Sequence, residues 1–456
     1  ILVGNSLGTI DIQSVDDEWN SGEEIPVVVV DGDANKNSRQ DEDLDLFNAN
    51  VALIPSLSTG DPFSLGEAGT GSDSKARAVY IVNSSTYKPG TITSEVASAS
   101  ALVNMTVQAF SHRALLNSTS STTATGLIID YQTNLDDFSN TFKNGTNFHG
   151  FNLFNLDVRG LSTTGVFDIY LLHNAGDIVS TRHTGNANDK GIMNVTGSPA
   201  ITAISIVNGS SPQHLTVIST AQAKIIANTI DALDGKRNTG LAIVRAATFD
   251  LSLVNNTAIV ADFFSFGFTN DGLVASERIA NQIIRIEAEE TGDNTSTFKG
   301  SLEYIMINQL NINDATTYSG ISPIANDPSF IVIEDLTDED SPRVNYLDLG
   351  SDGVSTQIAD QEEAPSHSGI VSFDADSYKE ADTVTITLED LDLNVDSDLI
   401  DIYTVVTKVG DPNRDVVGSG AFSTNSAINN GTSFALSNGD QLGRLLDVTF
   451  DDALWT

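Results

Sequence analysis

Asp31, Asp33, Asn35 and Asn37 follow one another at every second position, and Glu42 comes eleven residues after Asp31. Each offers a hard oxygen, and alternate carboxylates and amides closed by a late carboxylate are how a loop wraps a calcium ion. A second set, Asp390, Asp392, Asn394 and Asp396, keeps the same rhythm, with Asp398 or Asp401 as a further candidate. Both sets follow runs with strand character, VVVV at 27–30 and TVTITLE at 383–389. Lys36 and Val395 stand where an EF-hand loop needs glycine, so the expectation is a calcium site at a strand end, not between two helices. Asp and Asn are also ordinary turn formers after a strand, and that reading stays open.

Other chemistry is sparse. There is no H-E-x-x-H, G-x-S-x-G, P-loop or G-x-G-x-x-G. The six histidines are scattered, and His173 and His183, the nearest pair, read as surface residues. The carboxylate pair of a glycosidase leaves no motif of its own; apart from that, nothing points to an enzyme, and none is expected. The absence of cysteine excludes disulfides and thiolate metal sites. Nine Asn-x-Ser/Thr sequons occur, at Asn83, Asn104, Asn117, Asn144, Asn194, Asn208, Asn255, Asn294 and Asn430, and N-linked glycans are expected on some of them.

The net charge of −40 is unevenly placed. Residues 76–260 hold 11 acidic and 11 basic residues, whereas 1–75 hold 15 and 3, and 261–456 hold 36 and 8. Acidic flanks repel nucleic acid and anionic lipid and gather small cations. Acid runs such as Glu334–Asp335 and Glu362–Glu363 read as solvated faces or exchangeable cation surfaces. The start, ILVGNSLGTI, has no basic or long apolar stretch and is not read as a signal peptide, and no apolar run has the length of a membrane span.

A repeat sets the expected boundaries. Moved by 359 residues, WNSGEEIPVVVVDGDAN at 19–35 falls on YKEADTVTITLEDLDLN at 378–394; Trp19 meets Tyr378 and Asp31 meets Asp390. QIIRIEAEE at 282–290 also resembles RLLDVTFDD at 444–452, but at a different offset. The first copy is therefore expected to be interrupted by an inserted domain. Residues 1–75 and 261–320 would form the first repeat, 76–260 the neutral, sequon-rich insertion, 321–368 a linking β segment, and 369–456 a truncated second repeat. The second copy stops in mid-pattern at Thr456, which reads as a fragment of a longer chain.

These sites need strands to position them. AVYIV, GVFDIYLL, AITAISIV, QIIRIEAE, SLEYIMI and LIDIYTVV are strand candidates between Gly, Asn, Asp and Pro clusters. STAQAKIIANTIDAL at 219–233 predicts a helix capped by Ser219 or Thr220, and SERIANQ at 276–282 a second. The fold class expected is all-β: tandem immunoglobulin-like β-sandwiches with an inserted β-rich domain, α+β being the alternative for the insertion.

SFDADSYKEADTVTITLEDLDLNVDSDLIDIYTVV, the upstream VNYLDLGSDGVSTQIADQEEAPSHSG and EETGDNTSTFKGSLEY resemble the immunoglobulin-like repeats of archaeal surface-layer (S-layer) proteins, most closely those of ammonia-oxidising archaea. The resemblance covers both flanks, 261–456 best, and 76–260 poorly. It implies a secreted, extracellular glycoprotein of the cell surface that self-associates into a porous lattice stabilised by calcium and glycans. An acidic lattice of this kind would concentrate small cations, ammonium included, and exclude anions. The rival reading is a surface adhesin or filament stalk whose inserted domain binds a glycan or a protein. Only two tryptophans are present for a sugar platform.

Overall fold

The structure, a computed structural model, describes residues 4–13, 19, 22–48, 50–67, 70, 76–81, 102–118, 123–134, 136–138, 143–144, 147–148, 151–173, 203–218, 220–231, 238–250, 254–268, 278–307, 321, 328–333, 341–363 and 369–389. Its strands in chain order are β1 (Thr9–Ile12), β2 (Glu23–Val30), β3 (Ser56–Thr59), β4 (Arg77–Ile81), β5 (Leu102–Val107), β6 (Ala114–Ser118), β7 (Thr123–Asn134), β8 (Lys143–Asn144), β9 (Asn147–Phe148), β10 (Phe151–Asp157), β11 (Phe167–His173), β12 (Ala203–Ser210) and β13 (Gln213–Ile218). After helix α1 (Thr220–Asp231) come β14 (Asn238–Asp250), β15 (Thr257–Phe268), β16 (Arg278–Arg285), β17 (Glu289–Glu290), β18 (Thr297–Ile307), β19 (Ser329–Ile333), β20 (Arg343–Leu349), β21 (Ser355–Gln361), β22 (Ile370–Phe373) and β23 (Ile386–Glu389). The chain is all-β.

Two sheets dominate. In the smaller one β1, β2 and β18 are antiparallel neighbours, and β18 also pairs with β17 and, in parallel, with β19. β2 has Ile25, Val27 and Val29 facing inward and Pro26 and Val28 facing outward, the period-2 pattern of a half-buried strand. Pro26 lacks an N–H and lies just beyond the last β1 partner pair, Ile12 opposite Val27; its carbonyl accepts the Gln13 N–H at 2.8 Å, so the missing donor falls at the end of the β1–β2 ladder. The larger sheet, of fourteen strands, runs β12-β11-β14-β7-β4-β5-β6-β15-β16-β3-β20-β21, with β10 and β13 branching from β15.

Strands from before and after residues 76–268 meet each other. β2 pairs with β18, β16 with β3, and β3 with β20. One core lies between the two sheets, formed by Ile10, Ile12, Val27 and Val29 on one side and Leu57, Ile284, Val344 and Tyr346 on the other. Trp19 closes it, edge-on to Tyr304 at 5.6 Å. Segment 321–368, read from the sequence as a link, contributes β19 to one sheet and β20 and β21 to the other. A second core is built by β4–β15 and holds Leu127, Ile129, Leu241, Ile243 and an aromatic cluster, with Ala223 and Ile226 of α1 packed on it.

Helix α1 lies within the expected 219–233. The helix expected at SERIANQ is replaced by a strand: β16 pairs with β15 through Arg278–Asn281 and with β3 through Gln282–Arg285. Ile283 and Ile284 enter different cores, so this strand is apolar on both faces and shows no alternation. AVYIV, GVFDIYLL, AITAISIV, QIIRIEAE and SLEYIMI all contain strand; LIDIYTVV lies outside the described residues.

Charges are buried where the two cores adjoin. Arg285 pairs through both terminal nitrogens with Asp262, neither side chain being exposed, and donates Nε to the Ser111 carbonyl at 2.7 Å. Arg113 donates to Gln108 Oε1 at 2.6 Å and to the carbonyls of Leu46 and Val51 at 2.8 and 2.9 Å. Arg159 bonds Asp157 and Glu287 at 2.6 and 3.0 Å and covers the Phe47 ring. Because these residues come from both sides of the junction, the two cores are locked to each other rather than merely tethered.

Glu67, in the turn after Phe63, is also at this junction. Burial pushes its carboxyl up to about 7, against the Ser64 N–H bonded to it at 3.2 Å, and the charges of Asp61, Asp137 and Asp262 add to the rise. A carboxyl whose folded pKa is raised stabilises the fold fully below its ordinary 4.5, and that contribution is lost as pH climbs through about 7. Glu67→Gln keeps the acceptor without the charge. It is expected to stabilise the protein by about 1–3 kcal/mol at pH 8 and to change little at pH 4.5, as read by denaturant unfolding at the two pH values.

Candidate functional site

Asp31 follows directly on β2, its N–H bonded to the Ser296 carbonyl at 2.9 Å. Its own carboxylate folds the turn that follows: Oδ1 accepts the N–H groups of Asp33 and Ala34 at 2.7 and 3.2 Å, an Asx turn. Oδ2 accepts the Tyr346 hydroxyl at 2.8 Å, so the end of β2 is tied to β20 across the shared core. Asp348, two residues along β20, accepts the Gly8 N–H at 2.8 Å. Gly8 has to be small here, because a Cβ would stand 2.7 Å from the Val30 carbonyl. Asp33 accepts the Ser6 N–H at 2.9 Å.

The result is a group of three carboxylates. One oxygen from each of Asp31, Asp33 and Asp348 lies within 4.8 Å of the others. Asp31 and Asp348 are buried and Asp33 is exposed, and all three line a cleft of about 640 Å³ together with Tyr346, Lys36, Asp41, Glu42 and Asp43. Lys36 turns its ammonium to the Asn50 carbonyl at 2.5 Å. Burial, and beyond the opposing Tyr346 and backbone hydrogen bonds the charge of Asp348, raises the Asp31 pKa. A raised folded pKa means that ionised Asp31 costs stability as pH rises through it, a cost that a bound cation would remove.

Of the first expected ligand set, Asp31 and Asp33 come together and the rest do not. The Asn35 amide donates to Asn294 Oδ1 and Ser296 Oγ, each at 3.3 Å. Asn37 Oδ1 accepts the Arg39 N–H at 3.3 Å within its own turn. Glu42 pairs its backbone with Glu290, and its buried Oε2 has no hydrogen-bond partner among the described residues; it lines the cleft outside the group of three. Asp348 takes a place that sequence spacing could not supply. Asp390, Asp392, Asn394 and Asp396 lie outside the described residues.

Among the sequons, Asn104, Asn208, Asn255 and Asn294 are exposed. Asn117 is half-buried, with its Nδ2 donated to Asn256 Oδ1 at 3.0 Å. Asn144 is in β8, and Asn83, Asn194 and Asn430 lie outside the described residues, as does His183. A further polar pair, Ser64 Oγ and His112 Nδ1, is 2.7 Å apart at the junction. Burial and the nearby Arg285 charge lower the His112 pKa to about 4.

The chain matches no protein-family model and no curated protein. Among the described residues no helix is long and apolar enough to cross a membrane.

Proposed function

We propose that this chain is a structural cell-surface protein, a building block of a porous acidic S-layer lattice, and that its first sandwich is stiffened by a divalent cation held by Asp31, Asp33 and Asp348. The observation that carries the reading is the convergence of these three carboxylates, one oxygen of each within 4.8 Å of the others. Calcium suits hard oxygens and completes a shell of six to eight with carbonyls and water. In this role the cation joins the end of β2 to β20. The flanks, which carry the whole net charge, face the pores and concentrate small cations, ammonium among them. N-linked glycans on exposed asparagines such as Asn104, Asn208 and Asn255 solubilise the neutral unit that charge does not. Immunoglobulin-like topology for the sandwiches belongs to the same proposal.

The test is calcium dependence. At calcium a hundredfold above Kd the full chain is expected to gain about 2.7 kcal/mol in unfolding free energy, and Asp31→Asn with Asp348→Asn to gain nothing. The gain should shrink as pH falls and protons compete for Asp31. Sheets or rings seen by negative stain with calcium and lost with chelator support the lattice. Calcium binding without assembly favours the adhesin, and a wild-type chain indifferent to calcium removes the site.

A further inference from the structure

One edge of β1 pairs with β2, and among the described residues no strand pairs with the other. The Gln13 N–H bonds the Pro26 carbonyl at 2.8 Å, which sets the odd-numbered residues of β1 as the ones that bond β2. The even-numbered N–H groups therefore point outward, and β1 lies beside β21 and β20. Carboxylates stand there in place of a neighbouring strand. Asp348 of β20 accepts the Gly8 N–H at 2.8 Å, and Asp360 of β21 accepts the Ile12 N–H at 2.7 Å. Just upstream, Asp33 accepts the Ser6 N–H at 2.9 Å.

Hydrogen bonds to a carboxylate are stronger than those between neutral groups, so these three acceptors hold the segment in place of a ladder. Two of them, Asp33 and Asp348, also belong to the group of three carboxylates. Charges so close together repel, and a repelled carboxylate turns away from the N–H it holds. A cation among them removes the repulsion and keeps both side chains aimed at residues 6–8. Asp360 lies outside that group and holds the far end of the same four-residue strand. Ile10 and Ile12, buried in the core between the two sheets, dock or leave with it.

We propose that docking of β1 and cation binding at Asp31, Asp33 and Asp348 are coupled, so that loss of the ion releases residues 6–12 and bares one edge of β2. The trigger is the cation site proposed above, and the coupling rests on that reading. It is reciprocal: whatever factor the ion adds to the docking of β1, docked β1 adds to the affinity for the ion. Amide exchange in the full chain reads one direction. With saturating calcium the Gly8 and Ile12 amides are expected to exchange about tenfold more slowly, while the Leu161 amide, bonded within its own turn to the Val158 carbonyl at 2.9 Å, keeps its rate. Calorimetry reads the other. Ile12→Ala and Asp360→Ala lie outside the carboxylate group, and each is expected to weaken calcium binding about fivefold or more, at a salt concentration that screens distant charge. Unchanged affinity in both variants, or exchange at Gly8 and Ile12 indifferent to bound calcium, overturns the coupling and leaves the cation site standing. A wild-type chain that binds no calcium removes both.

Discussion

Replacing Asp262 by alanine is expected to lower the unfolding free energy by about 3–5 kcal/mol, because it strands the fully buried Arg285 guanidinium. Of the acceptors left to Arg285, the Ser111 carbonyl meets only its Nε and the Ile283 carbonyl stands 3.5 Å from Nη1. Asn155 loses a partner at the same time, its Nδ2 being 3.2 Å from Asp262 Oδ2. A double variant, Asp262→Leu with Arg285→Met, removes both charges and should recover part of the loss, since the cost lies in an unpaired charge more than in the missing bond. The denaturant midpoint for the single and double variants is the measurement. A single-variant loss below about 1 kcal/mol would mean that water reaches the pair, as it does at surface salt bridges.

Phe263→Ala should be similarly costly, about 3–5 kcal/mol, for a different reason. Its ring sits 4.9 Å from Phe138, 4.8 Å from Phe154 and 6.3 Å from Phe63. Its backbone exchanges hydrogen bonds with Phe63 at 2.8 and 3.2 Å, which pins the ring and leaves the cavity little room to collapse. Phe263→Leu refills most of the space and should cost less than about 1.5 kcal/mol. Ile225→Ala, on the exposed side of α1, should stay within about 0.5 kcal/mol and serves as the control for a surface change. Equal losses for alanine and leucine at 263 would show that ring geometry, not volume, holds this core.

The sequence makes the local layer of this molecule readable and leaves the long-range layer hidden. The inward alternation of Ile25, Val27 and Val29 identifies β2 by itself, and the apolar spacing of STAQAKIIANTIDAL identifies α1. β16 misleads because Ile283 and Ile284 are both buried, and a strand covered on both faces has no period to read. At the candidate site, Asp31 and Asp33 stand out by rhythm, while Asn35 and Asn37 share that rhythm and bond elsewhere. Asp348 is one acid among many in an acidic flank until β20 is seen to cross beside β2. The junction is the least legible part. Arg113, Arg159 and Arg285 are ordinary residues in sequence, and only the meeting of the two cores gives them partners.

The pairing of β2 with β18, from Val30 opposite Thr297 to Glu23 opposite Tyr304, also has a temporal side. A ribosome adds about 5–20 residues each second, so on the order of ten seconds or more separates the two strands as they emerge. Throughout that interval EEIPVVVV has no β18 to cover its edge, and a valine run of this kind readily recruits neighbouring chains. Glu23 and Glu24 at its start, Pro26 within it and Asp31 and Asp33 after it are the residue types that guard such a stretch. The acidic residues flanking β2 would thus protect the nascent chain before the fold exists to use them.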